Sequence, residues 1–416
     1  MRPEASVCGT LVDPLDGVAE GCVNVRDGLI DSVSREPRGE EVYRAPSGSY
    51  IAPGLIDLHV HLRGLELSYK EDEATGTMAA LSSGITLVAD MPNTRPRLAT
   101  PEAVSAKLRA LAAMSYTDYA VYAGIPDRPD GVDALRSMPV VGFKVYPEDL
   151  GARAVSVRRV LDLKGTLVVL HPEVPEAERV WADENYERGL ARGCWMEAAS
   201  LYMLSGARAR VHVTHVSCPS TLLLAKSMGF TADTTPHYMF YSYYMSGCQY
   251  RVNPPLRDEV SRSLIVKYVL EGTFDALGSD HAPHSRQEKA AWPHCPPGIP
   301  WLGLWPWVVY RLVKAHAMSR QEFLRLTSLG PAKVLGLDRL YGRLRPGYRA
   351  NLVVIDEAHE WRFTGTYSKA PYCHAFMSLA AAAPLAVFVG GQLASEGFDV
   401  KIKPRTVNPV EVSRLG

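Results

Sequence analysis

Eight short apolar runs, separated by longer helix-compatible stretches, constrain the fold of this chain more than any other feature of it. They are Gly54–Leu62, Ile85–Asp90, Tyr119–Gly124, Val140–Tyr146, Thr166–His171, Val211–Val216, Phe230–Thr235 and Asp275–Asp280. Taken singly, a run this short fits either a buried strand or a fragment of helix. Their regular alternation with helix-length segments is the pattern of parallel strands joined by crossover helices. Repeated eight times, it predicts an α/β fold, a (β/α)8 barrel over residues 51–340. Outside those limits the texture changes to short strands broken by Gly, Pro and Asp. Examples are Gly21-Cys22-Val23-Asn24-Val25 before the turn Asp27-Gly28, and Leu385-Ala386-Val387-Phe388-Val389 before Gly390-Gly391. Residues 1–50 and 341–416 are therefore expected to form one small β domain from both chain ends.

Composition narrows the partners. Of 416 residues, 47% are hydrophobic and 22% charged, enough apolar side chains for a large core. Lys+Arg and Asp+Glu are both 45, so no excess charge favours nucleic acid or an anionic membrane. The start, MRPEASVCGT, lacks an apolar signal core, and no run approaches a membrane span. A cytoplasmic protein with a small-molecule substrate is expected. The seven cysteines are scattered and odd in number, without a CxxC pair. Neither a thiolate zinc site nor a disulfide framework is expected from them.

The densest local signal is Asp57-Leu58-His59-Val60-His61-Leu62-Arg63. In a regular strand, residues 57, 59, 61 and 63 share a face, which would project a carboxylate, two imidazoles and a guanidinium together. Neutral imidazole is a zinc ligand, and a nearby carboxylate can orient it. On its own, such a pair reads more readily as a polar strand edge. The other unusual residues change that reading. Lys144 interrupts the apolar run Val140–Tyr146, where a free ammonium is costly; it should be paired, neutral or converted to a carbamate. His171 ends one run before Pro172, His215 ends another, and Asp280 ends the last. His212, three residues before His215, falls on the opposite strand face and is read as structural. Each candidate thus sits at the C-terminal end of a different predicted strand, the catalytic face of such barrels.

With these residues in place, the chain resembles the dihydroorotase branch of the cyclic amidohydrolases over nearly its whole length. The likeness is carried by Pro53–Arg63, Met91-Pro92-Asn93-Thr94, Gly142-Phe143-Lys144, Asn253-Pro254-Pro255-Leu256-Arg257 and Ser279-Asp280-His281-Ala282-Pro283-His284. It implies a metal-containing barrel with two zinc ions. His59, His61 and Asp280 would hold one, His171 and His215 the other, and Lys144 as N6-carboxylysine would bridge them. Arg63, Asn93 and His284 match positions that bind a substrate carboxylate; Asn253, Pro297 and Gly298 match positions around a pyrimidine ring. The implied reaction is the reversible closure of N-carbamoyl-L-aspartate to (S)-dihydroorotate, by a zinc-activated hydroxide with Asp280 as general acid and base. A homodimer, or association with other pyrimidine-pathway enzymes, would accord with the resemblance.

Two departures stand out. Where the family usually has Glu-Pro-Gly after the arginine, this chain has Gly64-Leu65-Glu66. Where it usually has Gly-Leu-Glu-Thr after Gly298-Ile299-Pro300, this chain has Trp301-Leu302-Gly303-Leu304. Trp301 is expected to pack beneath its loop. Two other readings compete: an allantoinase or hydantoinase, whose substrate would leave Arg63 unpaired, and a silent scaffold homologue, which would be expected to have lost ligands.

Overall fold

The computed structural model describes residues 4–359, 367–370 and 382–415. Two sheets dominate it. The first contains nine strands drawn from both chain ends. From the N-terminal side come β1 (Ala5–Asp13), β2 (Gly17–Arg26), β3 (Leu29–Ser34), β4 (Glu41–Arg44) and β5 (Ser49–Pro53). The barrel strands follow: β6 (Leu55–Val60), β7 (Ile85–Asp90), β8 (Asp118–Gly124), β9 (Gly142–Val145), β10 (Leu167–Leu170), β11 (Arg210–Val213), β12 (Thr231–Thr234) and β13 (Ala276–Leu277). The C-terminal part returns to the first sheet with β14 (Leu352–Asp356), β15 (Ala383–Val389), β16 (Gln392–Glu396) and β17 (Asp399–Val400).

Every apolar run named above carries one barrel strand. Each strand pairs in parallel with the next in chain order from β6 to β13. A parallel bridge between Val60 and His281 brings the segment after β13 back to β6 and nearly closes the barrel. The strands have no polar alternation because both faces are buried. Ile56, Leu58, Leu87, Ala89, Tyr122 and Val169 belong to one cluster. Val88, Val121, Val168 and Val213 belong to a second that includes Val104 and Leu108.

The helices begin where local chemistry satisfies their free amides. In α1 (Glu73–Ser82), Asp72 accepts from the Thr75 amide at 2.8 Å as half of a capping box. In α2 (Pro101–Met114), Thr100 accepts from the Ala103 amide, with Pro101 in the first turn.

The terminal sheet has a core of its own, with Val7, Val23, Ile30, Ile51, Leu352 and Phe388 among its residues. Its β5 pairs antiparallel with β14 and, one residue after Pro53, passes into β6. The sheet is therefore fastened directly to the strand that carries the first histidine.

Three disulfides correct the expectation drawn from cysteine spacing: Cys8–Cys22, Cys194–Cys218 and Cys248–Cys295. Their partners lie 14, 24 and 47 residues apart. Tertiary structure brings them together; Cys8 faces Cys22, for example, only through the β1–β2 register. Cys373 lies outside the described residues. Among the described residues, no helix is long and apolar enough to cross a membrane.

Candidate metal centre

β6 does not run as a regular strand. Its pairing with β7 shifts between Asp57 and Val60, so that one extra residue stands on the β6 side. The single polar face expected from strict alternation is broken there. The carboxylate of Asp57 accepts from the backbone amides of His59 at 3.2 Å and Ser279 at 3.1 Å, and orients neither ring. It ties β6 to the segment that carries Asp280, and burial pushes its pKa up to about 7.

Other groups orient the imidazoles. The Thr214 hydroxyl donates to Asp233 at 3.0 Å, so its oxygen accepts from His59 Nδ1–H at 2.6 Å. The Oδ1 of Asn93 accepts from His61 Nδ1–H at 2.7 Å. Burial holds both rings below the usual histidine pKa, His59 far below it with further help from Lys144 and the neighbouring imidazoles. Both Nε2 atoms then carry bare lone pairs, and both face Asp280 Oδ1, at 3.3 Å and 3.1 Å. Although burial alone would raise the pKa of Asp280, its neighbours His61, His237 and Lys144 bring it below the usual carboxylate value. Three electron-pair donors thus converge within 4.8 Å of one another with no proton to share. That arrangement is repulsive unless a cation lies among them, and imidazole nitrogens with a carboxylate oxygen are zinc-type donors. The cluster of His59, His61 and Asp280 is a metal-type site.

The remaining expected ligands adjoin it. Ring centroids run from His61 to His59 at 5.2 Å, to His215 at 5.1 Å and on to His171 at 4.6 Å. His215 and Asp280 both have left-handed backbones, with φ of 41° and 47°, conformations that non-glycine residues adopt rarely and often at functional positions. His215 Nδ1 is buried without a hydrogen-bond partner. His171 Nε2 meets Glu173 at 2.8 Å, leaving Nδ1 for other use. Arg192 pairs with the same Glu173. Although burial works against it, the His171 and Arg192 contacts lower the pKa of that carboxyl to about 2.

Lys144 Nζ is completely buried and has no hydrogen-bond partner among the described residues. It lies 5.2 Å from the centroid of the Tyr146 ring, and burial brings its pKa down to about 7. His212, read as structural, is satisfied between Asp233 at 2.9 Å and Thr231 at 2.9 Å.

Arg63 is the second distinctive feature. Its guanidinium is buried, and among the described residues no carboxylate lies within ion-pair distance of it. Its polar contacts are the Pro283 carbonyl and His284 Nε2, each at 3.4 Å. His284 is neutral, its pKa driven to about 2 by burial and by Arg63, Lys70 and Lys289. Lys70 donates to its Nδ1 at 3.2 Å, so Nε2 carries the proton and donates to the Pro297 carbonyl at 3.0 Å. The amide of Gly298 is used by the Arg251 carbonyl at 2.8 Å. Asn253 directs Oδ1 at Arg188 and Arg192, which leaves its amide NH2 as the group it can offer a ligand.

Gly64 explains one departure from the family pattern. Its φ of 63° and ψ of −167° lie in a region essentially confined to glycine. A Cβ there would stand 2.0 Å from Glu73 Oε1. That carboxylate pairs at 2.7 Å with the buried Lys107, which also donates to the Arg63 carbonyl at 3.2 Å. Gly64→Ala is therefore expected to destabilise the fold by about 3 kcal/mol, readable from denaturant unfolding. The other departure, Trp301, packs as expected. It is completely buried and donates from Nε1 to His237 Nδ1 at 3.1 Å.

Sequence reading did not single out Thr214, Asp233, Glu173, Arg192, Lys70, Lys107 or Tyr146. Two of them carried a usable signal: Glu173 stands two residues after His171, and Tyr146 two after Lys144. The Tyr146 hydroxyl is buried with no partner.

Comparison with known proteins agrees with this geometry. The family model described as "Amidohydrolase family" matches residues 50–394. A dihydroorotase of Aeropyrum pernix is 42% identical over 380 residues, covering 83% of this chain and 87% of that protein. One from Sulfolobus acidocaldarius is 40% identical over 322 residues, 77% of each chain. Among solved structures, a D-hydantoinase superposes with a TM-score of 0.86 at 23% identity, covering 97% of this chain and 98% of its own. The L-hydantoinase of Arthrobacter aurescens gives 0.87 at 21%, covering 97% and 99%; both show the likeness of fold. The matched family spans the barrel, the histidine cluster and the part of the terminal sheet formed by β5, β14, β15 and most of β16: the chain belongs to the amidohydrolase family.

Proposed function

We propose that this protein is a dihydroorotase, interconverting N-carbamoyl-L-aspartate and (S)-dihydroorotate in pyrimidine (UMP) synthesis. The observation that carries the reading is Arg63, a buried guanidinium beside the metal-type cluster with no carboxylate within ion-pair distance among the described residues. A buried cation of this kind favours a ligand that brings the anion. Dihydroorotate has a ring carboxylate, whereas hydantoin and allantoin do not. The curated relatives described above bear the same activity in their names.

In this reading His59, His61 and Asp280 hold one zinc and His171 and His215 a second, with Lys144 between them as N6-carboxylysine. The state of Lys144 supports that role. A pKa near 7 leaves much of the amine neutral, and a neutral amine adds to carbon dioxide and releases a proton to become an anionic carbamate. Bound there, the zinc pair supplies an activated water and polarises the ring carbonyl. Asp280, held as a carboxylate, would accept a proton at its carboxylate and pass it to the ring nitrogen as the amide opens; the reverse transfer would serve closure.

Arg63 grips the substrate carboxylate through its planar fork. Asn93 adds its free amide NH2 to that grip, and His284 fixes its wall. Asn253 donates to a ring carbonyl, and Pro297 and Gly298 line the ring. The barrel over residues 51–340 carries all these groups, with the terminal sheet as its support. A cytoplasmic location goes with the reaction.

Arg63→Ala is expected to raise the KM for dihydroorotate about 100-fold while changing kcat much less, measured by steady-state kinetics. The experiment that tests the assignment pairs zinc content with turnover of dihydroorotate, hydantoin and allantoin by the purified protein. Two zinc ions per chain with dihydroorotate preferred is the expected result. Preference for hydantoin or allantoin, or a zinc-loaded protein inert to all three, would overturn it.

A further inference from the structure

The segment from His284 to Trp301 is held in place by contacts of which those from Lys289, the Arg251 guanidinium and a disulfide lie outside the site described above. Four of its carbonyls accept hydrogen bonds from side chains. Pro293 takes Arg251 Nη1 at 2.7 Å, Pro296 and Gly298 take Lys289 Nζ at 3.0 Å and 2.9 Å, and Pro297 takes His284 Nε2. The Gly298 amide in turn donates to the Arg251 carbonyl, and the guanidinium of Arg251 lies over the rings of Trp181 and Trp292. One covalent link joins this segment to the neighbouring loop: the buried Cys248–Cys295 disulfide, between the residues that flank Arg251 and Pro297.

We propose that the Cys248–Cys295 cystine, with Lys289, is a positioning element for the carboxylate grip. It fixes the Pro296–Gly298 backbone, whose Pro297 carbonyl sets the His284 ring that bounds the Arg63 guanidinium. The inference rests on the assignment of Arg63 and His284 to the substrate carboxylate. It goes beyond that assignment in making substrate affinity depend on a disulfide distant from the metal ligands in sequence. A pocket held in its bound shape avoids the ordering cost that a loose loop would pay on binding. Loss of the clamp should therefore appear in KM and leave the metal centre and kcat in place.

The test starts from labelling and peptide mapping of reactive thiols on the denatured, unreduced protein, where Cys248 and Cys295 are expected to be unreactive. The Cys248→Ser/Cys295→Ser enzyme is then expected to keep its zinc content and kcat within about twofold while its KM for dihydroorotate rises about tenfold. Lys289→Met, which retains the cystine and frees the Pro296 and Gly298 carbonyls, should shift KM in the same direction, with Lys289→Arg recovering much of the loss. Reactive thiols mapped to Cys248 and Cys295 in the parent protein, or an unchanged KM in the Lys289→Met enzyme, overturns the proposal. A parent enzyme inactive on dihydroorotate would instead sink the functional assignment on which it rests, so the two failures are separable.

Discussion

Asp280→Asn is expected to lower kcat for dihydroorotate by about three orders of magnitude or more, at saturating zinc. The substitution keeps the size of the side chain, so packing at the end of β13 should survive. It removes two things at once. One is the negative charge towards which the bare Nε2 atoms of His59 and His61 converge at 3.3 Å and 3.1 Å. The other is the proton acceptor: a carboxamide oxygen is a far weaker base than a carboxylate held below its usual pKa. Steady-state kinetics with a zinc assay on the same sample would separate the two losses. A variant that retains full zinc and more than about a tenth of the parent kcat would remove Asp280 from the proton path.

Lys144→Met should have the second largest effect, with opposite signs on activity and stability. Activity and zinc content should fall together, because the proposed carbamate could not form. The metal-free fold should become more stable. Burial lowers the pKa of Lys144 from 10.5 to about 7, so the folded state binds its proton less tightly than the unfolded chain does. The resulting penalty is fully present below pH 7, shrinks as pH rises from 7 to 10.5, and vanishes above that. Relative to the metal-free parent, the Met variant should therefore gain on the order of 4 kcal/mol below pH 7, with the gain fading toward pH 10.5. Denaturant unfolding of both proteins in chelator, at pH 6.5 and pH 9.5, would measure it. A variant destabilised at both values would mean that the amine has a partner and serves as a structural cation.

The barrel was legible because a parallel strand buried on both faces leaves a continuous apolar run. Eight such runs with helix-length spacers admit few arrangements. The candidate ligands were legible because His171, His215 and Asp280 are polar residues that end apolar runs. What escaped was everything set by local irregularity or by distant contacts. The bulge in β6 turned Asp57 from an imbalanced neighbour of imidazoles into a clamp on two backbone amides; strict alternation cannot foresee an inserted residue. Thr214 and Asn93 orient His59 and His61 from 155 and 32 residues away, separations that leave no spacing signature. The disulfides escaped for the same reason, joining residues that only the folded chain brings together. Gly64 looked like a departure from a pattern, and its reason appeared only once Glu73 was seen to fill the space a side chain would need.

The metal donors are of a type shared by many hydrolases, so the substrate assignment stands on the Arg63 guanidinium, which has no carboxylate within ion-pair distance among the described residues. The most direct test is the ratio of kcat/KM for dihydroorotate to that for 5,6-dihydrouracil, the same ring without its carboxylate, on one zinc-loaded preparation. A site built around a buried cation should reject the uncharged ring, and a preference for dihydroorotate of about 1,000-fold or more is expected. Comparable turnover of the two would mean that Arg63 serves the fold alone, and would contradict the assignment.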